Sequence, residues 1–114
     1  MKLVYAYIKP HKLQSVVLAL HRVRGLTGLS ISNVEGFGRG WFRQDTPPAS
    51  PAEVVDFIRH VRLEVFCRDD LAEQVVQTIQ QAAHTGLRGD GKIFVLPVED
   101  AVRISTGERG QAAL

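Results

Sequence analysis

The chain has 114 residues, 45% of them hydrophobic and 23% charged, with 14 Lys+Arg against 12 Asp+Glu. That is the size of one domain with a single real core, too short for a second and too balanced for a disordered chain or a coiled coil. A net charge of +2 falls short of the basic excess of a dedicated duplex-binding protein, and one cysteine, Cys67, excludes an internal disulfide and a multi-cysteine zinc site.

The first apolar run, Leu3 to Ile8, ends at Lys9-Pro10 and lacks the length and cleavage site of a signal peptide. No segment approaches the roughly 18 apolar residues of a membrane span. These features, with the cysteine usage, point to a cytoplasmic protein that meets a membrane only through a partner.

Residues 2–8 are apolar on both faces and rich in aromatic and β-branched types, the pattern of a buried central strand stopped by Pro10. Residues 11–24 change period: Leu13, Val16, Val17, Leu20 and Val23 form one helical stripe, with Gly25 at the position of a C-cap glycine. Leu29 to Phe37 reads as a second strand. Gly38 to Ala52, holding Gly40, Pro47, Pro48 and Pro51, supports no regular element; loops that long in small domains are uncommon and mostly functional or disordered.

Val55 to Cys67 is the clearest strand, with Val55, Phe57, Val61, Leu63, Val65 and Cys67 alternating with polar residues. Asp69 or Asp70 then caps a second helix, with Glu73 completing the box and Leu71, Val75, Val76 and Ile79 on its apolar face. His84 to Gly91 is a glycine-rich connection, Ile93 to Val98 a strand apolar on both faces, Ala101 to Thr106 a short final strand, and 107–114 a tail. The order β-α-β-β-α-β predicts an α+β, ferredoxin-like sandwich, an antiparallel sheet with two helices on one face, spanning residues 1–114 as one domain. Two helices cover one face only, so the doubly apolar strands call for self-association.

Gly86-Leu87-Arg88-Gly89-Asp90-Gly91-Lys92-Ile93 approaches the P-loop pattern. Ile93 replaces the magnesium-binding hydroxyl, and the segment leaves a helix for a strand instead of the reverse, so it is not a P-loop. Three glycines still let backbone N–H groups approach an anion, with Lys92 adding charge; a plain tight turn explains them equally. Glu35-Gly36-Phe37-Gly38-Arg39-Gly40-Trp41-Phe42 echoes an RNA-recognition motif but lacks its stacking aromatics at the required positions, which leaves a ferredoxin-like RNA-binding domain using Phe37, Trp41 and Phe42 as the alternative. Ten of the 14 basic residues are arginine, which suits phosphate forks and equally reflects compositional bias. His11, His21, His60 and His84 show no metal-ligand spacing; His60 sits on the polar strand face, Cys67 on the apolar one, and no nucleophile–base pair is legible. No residue is assigned a catalytic or metal-binding role.

The chain resembles the PII signal-transduction proteins over nearly its whole length. The resemblance rests on Lys9-Pro10-His11-Lys12-Leu13, Gly36-Phe37-Gly38-Arg39, Val54-Val55-Asp56-Phe57, Leu63-Glu64, the run Thr85 to Val95, and Val102-Arg103-Ile104-Ser105-Thr106-Gly107-Glu108. It implies a homotrimer that binds ATP or ADP, with magnesium accompanying the triphosphate, in clefts between subunits. It implies signalling in place of catalysis, through a long T-loop, here 40–54, that moves onto a transporter or metabolic enzyme, with no nucleic acid involved. Carried over by position, the nucleotide-binding residues are Ser30, Gly36, Phe37, Gly38, Arg39, Glu64, Gly89, Asp90, Gly91, Lys92 and Arg103, with Trp41, Phe42 and Arg43 of the T-loop meeting the partner. Taken singly, the glycines also fit turns and Glu64 a solvated strand position.

Four departures accompany the resemblance. Gly40 stands where the family has a glutamine that helps hold Mg-ATP and 2-oxoglutarate, His60 where it has a lysine that meets 2-oxoglutarate, and Ser105 where it has a second phosphate arginine. The T-loop contains no tyrosine, which excludes uridylylation at the usual residue. These departures mark a diverged PII-like chain in which 2-oxoglutarate sensing is doubtful and another small anion such as bicarbonate is an alternative effector.

Overall fold

The computed structural model describes residues 1–36 and 58–114. The expected loop 40–54, with Phe37, Gly38, Arg39, Gly40, Trp41, Phe42, Arg43, Val55 and Phe57, lies outside the described residues. Four strands, β1 (Lys2–Ile8), β2 (Ser30–Gly36), β3 (Ile58–Cys67) and β4 (Lys92–Pro97), and two helices, α1 (Leu13–His21) and α2 (Asp69–Ala83), follow in the order β-α-β-β-α-β. The sheet runs β2-β3-β1-β4 with every neighbouring pair antiparallel, the expected ferredoxin-like arrangement.

Period-two alternation decides which side of the sheet is dry. Val4, Ala6 and Ile8 of β1 and Val61, Leu63, Val65 and Cys67 of β3 are buried against Val16 and Leu20 of α1 and Leu71, Val75 and Ile79 of α2. Cys67 is therefore a core residue, and burial pushes its thiol pKa up. Both helices lie on this face, and no polar or charged side chain is buried among the described residues.

The helix ends differ from the sequence expectation. Pro10–Lys12 forms a 3₁₀ turn, with Pro10 at its start where a missing N–H costs nothing, and α1 proper begins at Leu13. The helix stops at His21, where the Arg22 N–H bonds back to the Ala19 carbonyl and the Val23 N–H to the Leu20 carbonyl. Gly25, at φ +89°, turns the chain under α2: a Cβ there would stand 3.1 Å from Leu71 Cδ1. In α2 the N-cap is Arg68, extended and without a side-chain cap. Asp69 and Asp70 lie in the first turn, favourably placed in the helix dipole, and no capping box forms because Glu73 accepts from Gln77 instead. Asp69 holds the Met1 amino group at 2.9 Å, which keeps its carboxyl below the usual range.

The expected final strand, Ala101 to Thr106, is replaced by a reversing loop. A single bridge joins Val102 to Arg109, and the Arg103 carbonyl accepts from the N–H groups of Thr106 and Gly107 at 3.3 and 2.7 Å. With Gly107 at φ +75° the chain turns before a strand can extend, and a 3₁₀ turn, Gly110–Ala113, follows.

The sheet's second face carries Leu3, Tyr5 and Tyr7 of β1 and Phe94 and Leu96 of β4. The Tyr5 and Phe94 rings stack with centroids 5.2 Å apart, and Tyr7 meets both edge-on. Phe66, Phe94 and Leu96 remain exposed in the single chain, so no helix covers this face.

Candidate functional site

The connection from α2 to β4 is built around one carboxylate. Asp90 Oδ2 accepts from the Thr85 N–H at 2.8 Å and the Gly86 N–H at 3.0 Å, while Oδ1 accepts from the Thr85 hydroxyl. Lys9 Nζ, coming from the end of β1, lies 3.2 Å from Oδ1 and donates to Thr85 Oγ1 at 3.1 Å. The hydrogen bonds from Thr85, with help from Gly86 and Lys9, hold the Asp90 carboxyl far below the usual carboxylate range. Thr85 Oγ1 also accepts from the Leu87 N–H at 3.1 Å, so one threonine and one aspartate close the turn.

Glycine conformation completes the loop. Gly86, Gly89 and Gly91 have φ of +81°, +82° and +100°. At Gly91 the packing allows no side chain, since a Cβ would stand 1.7 Å from the Tyr7 carbonyl oxygen. The turn expected from three glycines is thus formed, and backbone runs close to β1.

Sheet register places the other expected residues. Ser30 is the direct cross-strand partner of Glu64, and Glu64 of Tyr5, which in turn faces Phe94. One row along, Ser32, Arg62, Tyr7 and Lys92 align on the same face. With strands about 4.8 Å apart, the β2–β3 pair Ser30–Glu64 and the β4 residue Lys92 lie on opposite sides of the sheet's second face. Arg62 lies between them: its guanidinium sits 5.1 Å above the Tyr5 ring and Nη2 meets Glu64 Oε1 at 2.6 Å. Gly36 closes β2 opposite Ile58. Ser30 and Glu64 are therefore brought together, and so are Gly89, Asp90, Gly91 and Lys92; the two groups are not in contact within one chain.

Arg103 stands apart from both. Its Nη2 donates to the Leu114 main-chain oxygen at 3.1 Å and the Ala112 carbonyl at 3.4 Å, and Nη1 lies 3.7 Å from Glu108 Oε1. The guanidinium thus faces the tail of its own chain.

Sequence reasoning gave no site role to two participants, Lys9 and Thr85, and did not foresee the surroundings of His60. Lys9 and Thr85 act through Asp90, and only the folded loop reveals that Asp90 is consumed in holding its own turn. His60, read as a solvated strand residue, is half-buried with Nε2 3.4 Å from the Gly89 carbonyl. Beside the loop on the helix side is an open pocket of about 220 Å³, lined in part by Tyr7, Ile79, His84, Asp90 and Lys92. A second, of about 350 Å³, lies between α1 and residues 26–29, next to Ser30. Among the described residues no His/Cys/Asp/Glu cluster could hold a metal, and no helix is long and apolar enough to cross a membrane.

Comparison with known proteins gives the arrangement its context. Residues 1–108 match the family model described as nitrogen regulatory protein P-II. Proteins called nitrogen regulatory protein P-II from Azospirillum brasilense and Rhodospirillum rubrum are 50% and 48% identical, each across the full length of both chains. A P-II homologue from Arabidopsis thaliana is 40% identical over 96% of this chain and 56% of its own. A family match over residues 1–108 and identities near one half across the full length of both chains show the family: the chain belongs to the nitrogen regulatory protein P-II family.

Proposed function

We propose that this chain is a cytoplasmic PII-like signalling protein that acts as a homotrimer, binds ATP or ADP in the clefts between subunits, and regulates a transporter or metabolic enzyme through residues 40–54. The observation that carries the reading is the glycine loop. It is held in shape by the contacts among Asp90, Thr85, Gly86 and Lys9, and it leads directly into Lys92. A preformed loop of this kind presents backbone N–H groups to a polyphosphate at little ordering cost.

The two halves of the site support a shared cleft. Ser30 and Glu64 lie at the β2 side of the sheet and Lys92 at the β4 side, so one adenine nucleotide would meet Ser30 and Glu64 of one subunit and the loop of another. Asp90 serves this site by shaping the loop, since both its oxygens are already occupied. Phe37, Gly38 and Arg39 would border the nucleotide, and Trp41, Phe42 and Arg43 the partner. Magnesium would accompany the triphosphate. Nothing among the described residues favours the RNA-binding alternative.

Calorimetric titration with ATP, ADP and AMP tests the reading. Heat and a thermal shift with at least one are expected, and none with any of them overturns it. Lys92→Ala should bind more weakly; unchanged affinity would count against the loop as the phosphate site. With Gly40 and His60 in place of the family's 2-oxoglutarate ligands, adding 2-oxoglutarate to Mg-ATP should leave affinity unchanged, and bicarbonate is the next anion to try.

A further inference from the structure

Arg103 is the residue whose position in the chain suits phosphate and whose guanidinium is already engaged. Its Nη2 donates to two main-chain oxygens, Leu114 at 3.1 Å and Ala112 at 3.4 Å, and Glu108 Oε1 stands 3.7 Å from Nη1. The segment that supplies these acceptors is lightly held. The turn Gly110–Ala113 buries no residue. Its main-chain anchor to the rest of the arm is the Gly110 N–H bonded to the Ala101 carbonyl at 2.9 Å; beyond that point the Arg103 fork holds residues 111–114, of which Ala113 and Leu114 are half-buried.

We propose that residues 111–114 form an intramolecular latch that competes with nucleotide phosphate for the Arg103 guanidinium. This rests on the nucleotide-binding reading above and adds a regulation to it. The same Nη2 hydrogens cannot serve the tail and a phosphate at once. Phosphate is the stronger acceptor set, because a polyphosphate offers several charged oxygens that take a guanidinium in bidentate, charge-assisted bonds, against the single Nη2 bonds to the Ala112 carbonyl and the Leu114 main-chain oxygen. The latch is therefore displaceable, and the fraction of molecules in the latched state lowers the apparent affinity for nucleotide. The neighbouring residues sharpen the effect: Ser105 offers a hydroxyl in place of a second fork, and Arg109 is paired with Asp100 at 2.8 Å. A latch on Arg103 thus withdraws the arginine that this arm has to give.

The experiment compares the full chain with one ending at Gly110, each with Arg103 and with Arg103→Gln, by ATP calorimetry at fixed salt. Removing residues 111–114 should tighten ATP binding by about three- to tenfold when Arg103 is present, and leave it unchanged in Arg103→Gln. Equal affinity after truncation overturns the latch. Weaker affinity also overturns it, by making the tail a prop for the arginine. A gain of the same size in Arg103→Gln overturns it too, by placing the effect elsewhere. In the full chain, ATP should speed amide hydrogen exchange at Gln111 to Leu114; unchanged or slowed exchange counts against displacement. If neither chain binds ATP, the nucleotide reading itself falls; if both bind equally, that reading stands and only the latch is lost.

Discussion

Lys9 and Asp90 form an ion pair of 3.2 Å that fastens the end of β1 to the glycine loop before β4. Both side chains are largely covered, and Asp90 also accepts from Thr85 and Gly86, so its carboxyl ionises far below the usual range. A depressed carboxylate pKa stabilises the fold above the unfolded-state value, about 3.9, and that contribution is lost as pH falls from there toward the folded value. Asp90→Asn should therefore lower the melting temperature at pH 7, and the gap to the native chain should narrow between pH 4 and pH 2. Thermal melts at pH 7 and at pH 3 measure it; a gap of the same size at both would show that the charge of Asp90 is not what matters. Asp69 and Asp100, also held below the usual range, add acid sensitivity to both chains alike.

Gly91 and Gly107 separate two costs that a left-handed glycine can carry. Both have positive φ, but a Cβ at Gly107 would meet nothing within 4 Å, whereas one at Gly91 would stand 1.7 Å from Tyr7 O. Gly107→Ala should cost about 1 kcal/mol, the backbone penalty alone. Gly91→Ala must in addition move backbone against β1 and should cost at least roughly 3 kcal/mol. Urea unfolding of both variants tests the order, and similar midpoints would refute the close approach of the loop to β1.

Ile79 and Leu18 make the matching comparison for the core. Ile79 is fully buried between α2 and the sheet, while Leu18 on α1 is 56% exposed. Ile79→Ala should lose about 2–5 kcal/mol through lost transfer energy and the cavity left behind. Leu18→Ala should change stability by less than about 0.5 kcal/mol. Both are read from urea melts at one protein concentration, because association would add to the apparent stability.

Much of this architecture was legible because period decides burial. The alternation from Val61 to Cys67 named the dry side of β3 correctly, and the stripe Leu71, Val75, Ile79 named that of α2. Local end effects were less legible. Asp70 pairs with Arg68 in place of capping, and the run Ala101 to Thr106 turns on itself because the Arg103 carbonyl captures two N–H groups. At the site, the run Gly86 to Lys92 announced a close-approach loop. Asp90 closes the loop through local bonds to Thr85 and Gly86, a side-chain role that glycine spacing alone does not announce, while the approach of Lys9 to Asp90 and of His60 to the Gly89 carbonyl depends on pairings between distant parts of the chain. Ser30 and Glu64 could be placed by position along the family pattern, but their contact follows from strand register.

The second face of the sheet provides the test of assembly. Leu3, Phe66 and Leu96 gather at one end of that face, with Phe66 aligned to Leu3 and Leu3 to Leu96 across three strands, and Tyr5 stacks on Phe94 beside them. Leu96 is 41% exposed and points away from both helices, so replacing it leaves the core intact. A charge placed there would be buried unpaired if this face packs against another copy, and that is far costlier than the same charge in water. If the proposed trimer packs through this face, Leu96→Glu should keep its circular dichroism spectrum while its mass by light scattering falls from that of three chains toward that of one. A variant that keeps the three-chain mass would place the interface elsewhere and leave this apolar face to another partner. A native chain that is monomeric at micromolar concentration would remove the shared cleft, and with it the reason for Ser30 and Glu64 to lie across the sheet from Lys92.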